Sequence, residues 1–385
     1  MSVFGDLVGQ ERVVVQLGAA AAAAAGAAAG GPGMTHAWLF TGPPGSGRSV
    51  AARAFAAALE CPRSGCGTCS ACHTVRAGTH ADVDVVVPEG LHILMEEARE
   101  IVRRASSAPT VGPWRVIVIE DADRLEERTS NTLLKILEEP PPRAVLLLCA
   151  PAVDDLPPTI RSRCRLVTLR TPPAAAVAEV LERRDGVRPE VAAFAARAAQ
   201  GHVGRARRLA MDADAQRRRR EVLALPGALT SVPACFVAAE NLVAATVEEA
   251  TAATGPVAAA ETAALRVSLG DTGTGKAMPR GTAGAMKDLE RRQKSRGTRS
   301  QRDALDRALA DLATFYRDVL MVQLGAAVPL VNSDLRDAVH RLAAGSAPAS
   351  TLRRIEASFA CQTAIDANVP PLLAVEALTL RLRAG

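Results

Sequence analysis

The sequence predicts an α/β domain built on a parallel sheet and a phosphate-type loop, followed by a chain that is helical to its end. Three observations predict it. Short aliphatic runs alternate with helical stretches as far as about residue 169, a glycine-rich loop joins the first run to a helix, and beyond residue 171 only helical periodicity remains. The runs 37–41, 83–87, 116–119 and 145–149 are β-branched or aliphatic without polar alternation, the pattern of strands covered on both faces. Between them Leu94, Ala98, Ile101, Val102 and Ala105 recur at helical spacing, as do Leu133, Leu134 and Leu137. Strands alternating with helices imply an α/β sheet. The expected boundaries are a first domain over 1–171, a small helical segment over 172–226 punctuated at Gly186 and Gly201, and a helical domain over 227–385. The stripe Leu305, Leu309, Leu312, Tyr316, Val319 and Leu320 marks a core-facing helix in the last of these. Inside it, 270–302 is rich in Gly, Thr, Lys and Arg and poor in large apolar residues, so a mobile, disordered surface insertion is expected there.

Bulk properties narrow the function classes. A chain of 385 residues suits two or three domains. Its net charge of +5 is compatible with nucleic acid nearby but does not establish contact. Aromatic residues make up 3%, which argues against a single-strand binder built on base-stacking platforms. The start has no basic n-region or cleavage pattern. The alanine tract 19–29 is too short and too weakly apolar to span a bilayer. A cytoplasmic chain without a membrane segment is expected.

The loop Gly42-Pro-Pro-Gly45-Ser-Gly47-Arg48-Ser49 fits a Walker A pattern except that arginine stands in the lysine position. In such a loop the glycines let backbone N–H groups surround phosphates, and the following helix adds its positive end. The lysine is a compact charge for the β/γ oxygens, and Ser49 is the expected Mg²⁺ ligand. Planar arginine does not replace that point charge. A second match, Gly270 to Lys276 and Ala277, keeps a lysine but lacks the Ser/Thr and a buried strand before it, and reads as chance. The strand 116–119 delivers Glu120 and Asp121 at its end, where a Walker B strand places carboxylates near Mg²⁺. The usual order is Asp then Glu. Reversal moves each carboxylate by about 1.5 Å, a misplacement that costs catalysis heavily.

Cys61, Cys66, Cys69 and Cys72 follow the loop's helix at spacings of four, two and two intervening residues. Four thiolates so close suit tetrahedral Zn²⁺, and a closed set of four sulfurs leaves no coordination position for chemistry, so the zinc is structural. Cys149, Cys164, Cys235 and Cys361 are isolated and read as small apolar fillers.

These motifs together resemble the bacterial clamp-loader family of AAA+ proteins. Val8-Gly9-Gln10-Glu11 is similar to its N-terminal nucleotide-binding edge, 36–42 to its approach to the P-loop, and the cysteine cluster to its zinc module, with a shorter first spacing than usual. The run Asn131-Thr-Leu-Leu-Lys135-Ile-Leu-Glu138-Glu139-Pro140-Pro141 and the Ser162-Arg163-Cys164 motif are the most specific matches. The resemblance covers most of 1–210. It implies an AAA+ P-loop domain with a zinc module over 61–72, a helical lid, and an all-α collar. It implies that Arg163 acts in trans as an arginine finger on ATP held by a neighbouring subunit. It also implies gamma/tau ATPase and delta partners, and, through the complex, a sliding clamp and primed DNA during replication by DNA polymerase III. Arg48, the reversed Glu120/Asp121 pair and Pro151 near the sensor position depart from the family's ATPase branch, and Arg205 stands one place out of register with the lid's sensor arginine. Those departures point to the non-hydrolysing, delta-prime-type branch with a degenerate ATP/Mg²⁺ site. The alternative is a competent AAA+ ATPase of the gamma/tau kind.

Overall fold

The structure is a computed structural model that describes residues 2–26, 33–269 and 282–385. The chain divides into two units, Met1–Met211 and Asp212–Gly385.

The first unit runs α1 (Glu11–Gly26), β1 (Ala37–Thr41), α2 (Arg48–Glu60), α3 (Ser70–Ala77), β2 (Val83–Val86), α4 (Met95–Ala105), β3 (Arg115–Ile119), α5 (Glu127–Glu138), β4 (Ala144–Ala150), α6 (Pro158–Arg161), β5 (Arg165–Thr168), α7 (Ala174–Asp185), α8 (Pro189–Ala198) and α9 (Val203–Met211). The five strands form one parallel sheet in the order β2-β3-β4-β1-β5. Leu39 sits opposite Leu148 on one side and Leu166 on the other. The absence of polar alternation now has its reason. Trp38, Phe40, Val116, Val118, Val145 and Leu147 face one core with α1, α2 and α3, while Leu39, Ile117, Ile119, Leu146 and Leu148 face a second core with α4 and α5. Successive residues of a strand point to opposite faces, and both faces are dry. All five strands therefore end on the same edge, where α/β sheets gather their functional loops. This is the expected parallel α/β sheet, followed by a helical remainder.

The second unit contains α10 (Ala213–Ala228), α11 (Val232–Ser268), α12 (Thr282–Gln323), α13 (Arg336–Gly345), α14 (Pro348–Asp366) and α15 (Pro371–Ala384). Its core gathers Leu223, Leu242, Leu305, Leu309, Leu312, Tyr316, Val319, Ile365 and Leu378, and the stripe read from the sequence supplies much of it. Two expectations are corrected. The helical segment expected over 172–226 stops at α9, because α10 belongs to the second unit: Leu223 and Leu225 join its core and Arg219 is buried in it. Arg219 donates to Asp311 at 3.1 Å and also bonds Asn332. The insertion expected over 270–302 is helical from Thr282 onward, as the first half of the 42-residue α12. Its polar composition is sustained because it pairs with α11: Gln293 donates to the Ala258 carbonyl at 2.9 Å, and Arg296 meets Glu261 at 3.0 Å. Residues 270–281, with the second Walker-like match, lie outside the described residues. Among the described residues no helix is long and apolar enough to cross a membrane.

Candidate functional site

The loop between β1 and α2 keeps the shape of a phosphate cradle. Gly42, Gly45 and Gly47 have φ of 151°, 83° and 94°, backbone states that glycine adopts without steric cost. A Cβ on Gly42 would meet the Leu169 carbonyl oxygen at 2.6 Å and Ser46 Oγ at 2.7 Å, and one on Gly45 would run into His202. His202 belongs to the turn before α9, and its Nδ1 accepts from the Arg205 N–H at 3.2 Å. Buried Gln10 stitches the N-terminal edge to the loop: its amide donates to the Ser46 carbonyl at 3.2 Å and the Arg170 carbonyl at 2.5 Å, and accepts from the Arg170 N–H at 3.2 Å. The Thr41 and Ser46 hydroxyls are buried beside the cradle without a hydrogen-bond partner among the described residues. Such groups are costly to leave unpaired.

The charged groups at this edge are nevertheless engaged within the chain. The Arg48 guanidinium donates to the Gly42 carbonyl, so it folds onto the loop's own backbone. Glu120 lies 2.8 Å from Arg53 Nη2 and accepts from Arg53 Nε at 2.9 Å. Its N–H continues the β2–β3 ladder to the Val86 carbonyl at 2.9 Å. Asp121 opens the following turn in a left-handed conformation, φ 50° and ψ 51°, with Arg124 at 3.8 Å. Burial, and then the neighbouring Asp121 carboxylate, raise the pKa of Asp123. The Pro151 carbonyl accepts from the Gly42 N–H at 3.1 Å, and its ring offers no donor. Ser49 is half-buried in the first turn of α2. Arg53 was not singled out in the sequence. It sits one helical turn and a half beyond Arg48, and no motif marks it.

Arg163 stands apart from this pocket, on the short link between α6 and β5. It is exposed, yet three acceptors hold it. Glu138 Oε1 receives Nη2 at 2.6 Å, the Thr159 carbonyl receives Nη1 at 2.7 Å, and Ser162 Oγ lies 3.3 Å from Nη1. The pairing links the two most specific sequence motifs, the end of α5 and the Ser-Arg-Cys turn. Pro158 at the start of α6 and the Arg161–Asp154 ion pair fix that turn.

The four cysteines converge after α2. All four sulfurs lie within 4.8 Å of one another, with Cys61 3.6 Å from both Cys66 and Cys69. Tetrahedral zinc with bonds of about 2.3 Å needs sulfurs roughly 3.8 Å apart, so the set can hold such an ion. The backbone N–H groups of Arg63 and Cys66 each donate to Cys61 Sγ at 3.4 Å. The Thr68 backbone N–H, then its hydroxyl, pull the Cys66 thiol down to about 5, while burial pushes Cys72 up to about 12. Glu60, one residue before the cluster, is buried at 3% exposure. Burial, then the Asp82 carboxylate, raise it to about 8, against a weaker pull from the Trp114 N–H. Asp82 is opposite in character: burial opposes its charge, but the N–H groups of Gly112, Thr110 and Val111 and the Thr110 hydroxyl hold it at about 2.

Comparisons with known proteins agree with the motifs. Residues 28–173 match the family model described as DNA polymerase III, delta subunit. The DNA polymerase III subunit delta' of Pseudomonas aeruginosa is 38% identical over 154 residues, 38% of this chain and 47% of that protein. The gamma/tau subunit of Mycobacterium tuberculosis strain H37Rv is 31% identical over 185 residues, 47% of this chain and 31% of that protein. This chain thus spans less than half the length of these relatives. Among solved structures, the Aeropyrum pernix ORC1 protein in complex with DNA shares 17% identity at a TM-score of 0.39, over 75% of this chain and 86% of that one. The resemblance to the bacterial DNA polymerase III clamp-loader family is borne out over residues 28–173.

Proposed function

We propose that the chain is a delta-prime-type subunit of a DNA polymerase III clamp loader, a cytoplasmic protein that helps load a sliding clamp onto primed DNA. In that reading 1–171 is the nucleotide-binding-type domain, α7–α9 are its lid, and the second unit is the collar. Its partners are gamma/tau ATPases and a delta subunit. One observation carries the reading: the Arg48 and Glu120 groups are engaged with the loop and with Arg53, while Arg163, bonded to Glu138, Thr159 and Ser162, remains exposed on the surface. Arg48 engages Gly42 and Glu120 engages Arg53, whereas Arg163 is exposed and oriented. A guanidinium can neutralise charge that spreads over transferring phosphoryl oxygens, and a finger supplied in trans contributes about 10³–10⁵ in rate.

Cys61, Cys66, Cys69 and Cys72 would hold one structural Zn²⁺, whose contribution is to pin the 61–72 knuckle against α2. Metal analysis of chain purified without chelator should find one equivalent, lost in Cys66→Ser; a metal-free wild type would refute it. The second reading, a competent ATPase, is favoured by the unpaired Thr41 and Ser46 hydroxyls and by the gamma/tau likeness. ATP turnover by the purified chain alone separates the two. Negligible turnover, with Arg163-dependent ATPase in the reconstituted loader, supports the first reading. Turnover near ~1 s⁻¹ by the chain alone, within the ordinary enzyme range, supports the second.

A further inference from the structure

The second unit has two stretches crowded with basic residues, and the structure treats them differently. In α10, Arg217 pairs with Asp214 at 2.8 Å and reaches Glu221 at 3.7 Å, Arg218 meets Glu249 at 3.3 Å, and Arg219 is buried against Asp311. In that run Arg218 and Arg219 are drawn into the unit, while Arg217 and Arg220 stay on its surface. In the first half of α12, Arg296, Arg299 and Arg302 meet Glu261, Asp303 and Asn368, and four further basic side chains are exposed. Residues 282–302 hold Lys287, Arg291, Arg292, Lys294, Arg296, Arg299 and Arg302 against Asp288 and Glu290. The surplus of five falls to three once Glu261 and Asp303, the partners of Arg296 and Arg299, are counted.

This half of α12 and the second half of α11 form an antiparallel helical arm. Gln293 bonds Ala258 and Thr262 at 2.9 and 3.1 Å, and Arg296 pairs with Glu261 at 3.0 Å. The unit's core cluster takes no residue from 251–302. With Gln293, Arg296 and buried Leu289 turned to the pairing, Lys287, Arg291, Arg292 and Lys294 are exposed. Lys287, Arg291 and Lys294 fall at i, i+4 and i+7, one face of a helix. Arg291 has Asp288 at 3.1 Å on the surface, a pairing worth little in water.

We propose that this arm is a docking surface for the sugar-phosphate backbone of nucleic acid, with Lys287, Arg291, Arg292 and Lys294 as its contacts. Charge complementarity selects the occupant. A protein partner would need a central apolar or aromatic anchor, and 282–302 contains no aromatic residue while its one leucine, Leu289, is buried. Base stacking is excluded for the same reason. Phosphates need only positive charge at this spacing, so the binding is independent of sequence and steeply dependent on salt. The inference does not rest on the finger role of Arg163.

The test is binding of a labelled 30-base-pair duplex by the full chain alone, between 50 and 200 mM salt. The variant Lys287→Ala, Arg291→Ala, Arg292→Ala, Lys294→Ala is compared with Arg217→Ala, Arg220→Ala in α10. Each lost phosphate contact lowers the slope of log K against log salt by about 0.9, so the arm variant should lose about 3 to 4 from the slope, with affinity down tenfold or more, while the α10 variant keeps the wild-type slope. Thermal unfolding checks the fold, and Lys287→Ala, Lys294→Ala substitutes if the fourfold variant is unstable, with a loss of about 2. No duplex binding by the wild type at 50 mM salt would overturn the proposal. So would an unchanged slope, or loss of polyglutamate binding with duplex binding intact, which marks an acidic protein partner. Because no other subunit is present, a failed ring assembly would leave this outcome unaffected.

Discussion

Two ends of one sheet domain differ in how they hold their charged side chains. At the β1–α2 loop the backbone shape survives, with three left-handed glycines and a helix start. The charges there are spent inwardly, on Gly42 and Glu120. At the α6–β5 link the guanidinium of Arg163 is exposed and triply held. Shape without available charge can bind, and an exposed, held charge can act on something brought to it. On the proposed reading, the difference is that between a subunit's own chemistry and the part it lends to a neighbour.

The hardest way to break this comparison is at Arg163. In a reconstituted loader Arg163→Ala should lower ATPase at the facing site by roughly 10³-fold or more, the low end of a finger's effect, with assembly intact. Arg163→Lys should do nearly as badly, because an ammonium lacks the planar fork. Single-site turnover measurements that show no loss would leave the chain a scaffold only.

Next in size is the far end of α2, where Glu60 links the cradle's helix to the thiolate knuckle. Its folded pKa of about 8 lies above the ordinary 4.5. It is therefore neutral in the native state, and the stability this gives is present below about pH 4.5 and lost as pH rises toward 8. Glu60→Gln removes that loss. Denaturant unfolding should find the variant ahead of wild type by a margin that grows between pH 5 and pH 8 to on the order of 2–3 kcal/mol, below the ceiling of about 1.4 kcal/mol per unit. A margin flat with pH would contradict the buried neutral state.

Glu138 refines the finger side of the comparison. If it orients Arg163, Glu138→Gln should cost about tenfold at the facing site, the scale of one charge-assisted hydrogen bond. Glu138→Asp, with a shorter reach, should fall between, and neither should alter assembly. Equal effects on assembly and turnover would make the pair merely structural. Smallest of all is Arg48→Lys. It frees the Gly42 carbonyl but leaves Glu120 on Arg53 and Pro151 without a donor, so turnover by the chain alone should rise by no more than about twofold.

Much of this was legible in the residues. The strands were readable because both faces of the sheet are buried, so their aliphatic runs carry no polar interruptions. The cysteine cluster and Ser162-Arg163-Cys164 were readable because chemistry demands those types at those spacings. What escaped depends on partners distant in the chain. Arg53 looked like any helix-surface arginine, and only the fold brings it to Glu120. Arg219 stands in the middle of four consecutive arginines, and only the 331–334 turn and α12 reveal it as buried. The 282–302 stretch looked mobile because composition reports the lack of a large apolar face, whereas here a second helix supplies the pairing through Gln293 and Arg296.

The continuity of α12 constrains how its sequence can change. One unbroken helix serves the arm over 282–302 and the core from Leu305 onward, so the arm has no seam at which residues can be added or removed freely. Deleting one residue from its middle rotates everything before it by about 100° relative to the core. Seven residues are close to two whole turns, so shortening by sevens, matched in α11, leaves Gln293-type pairing and Leu305 on their proper faces. Length variation in this arm should therefore come in paired steps of about seven, and sporadic single-residue gaps should be confined to the connection between the two helices.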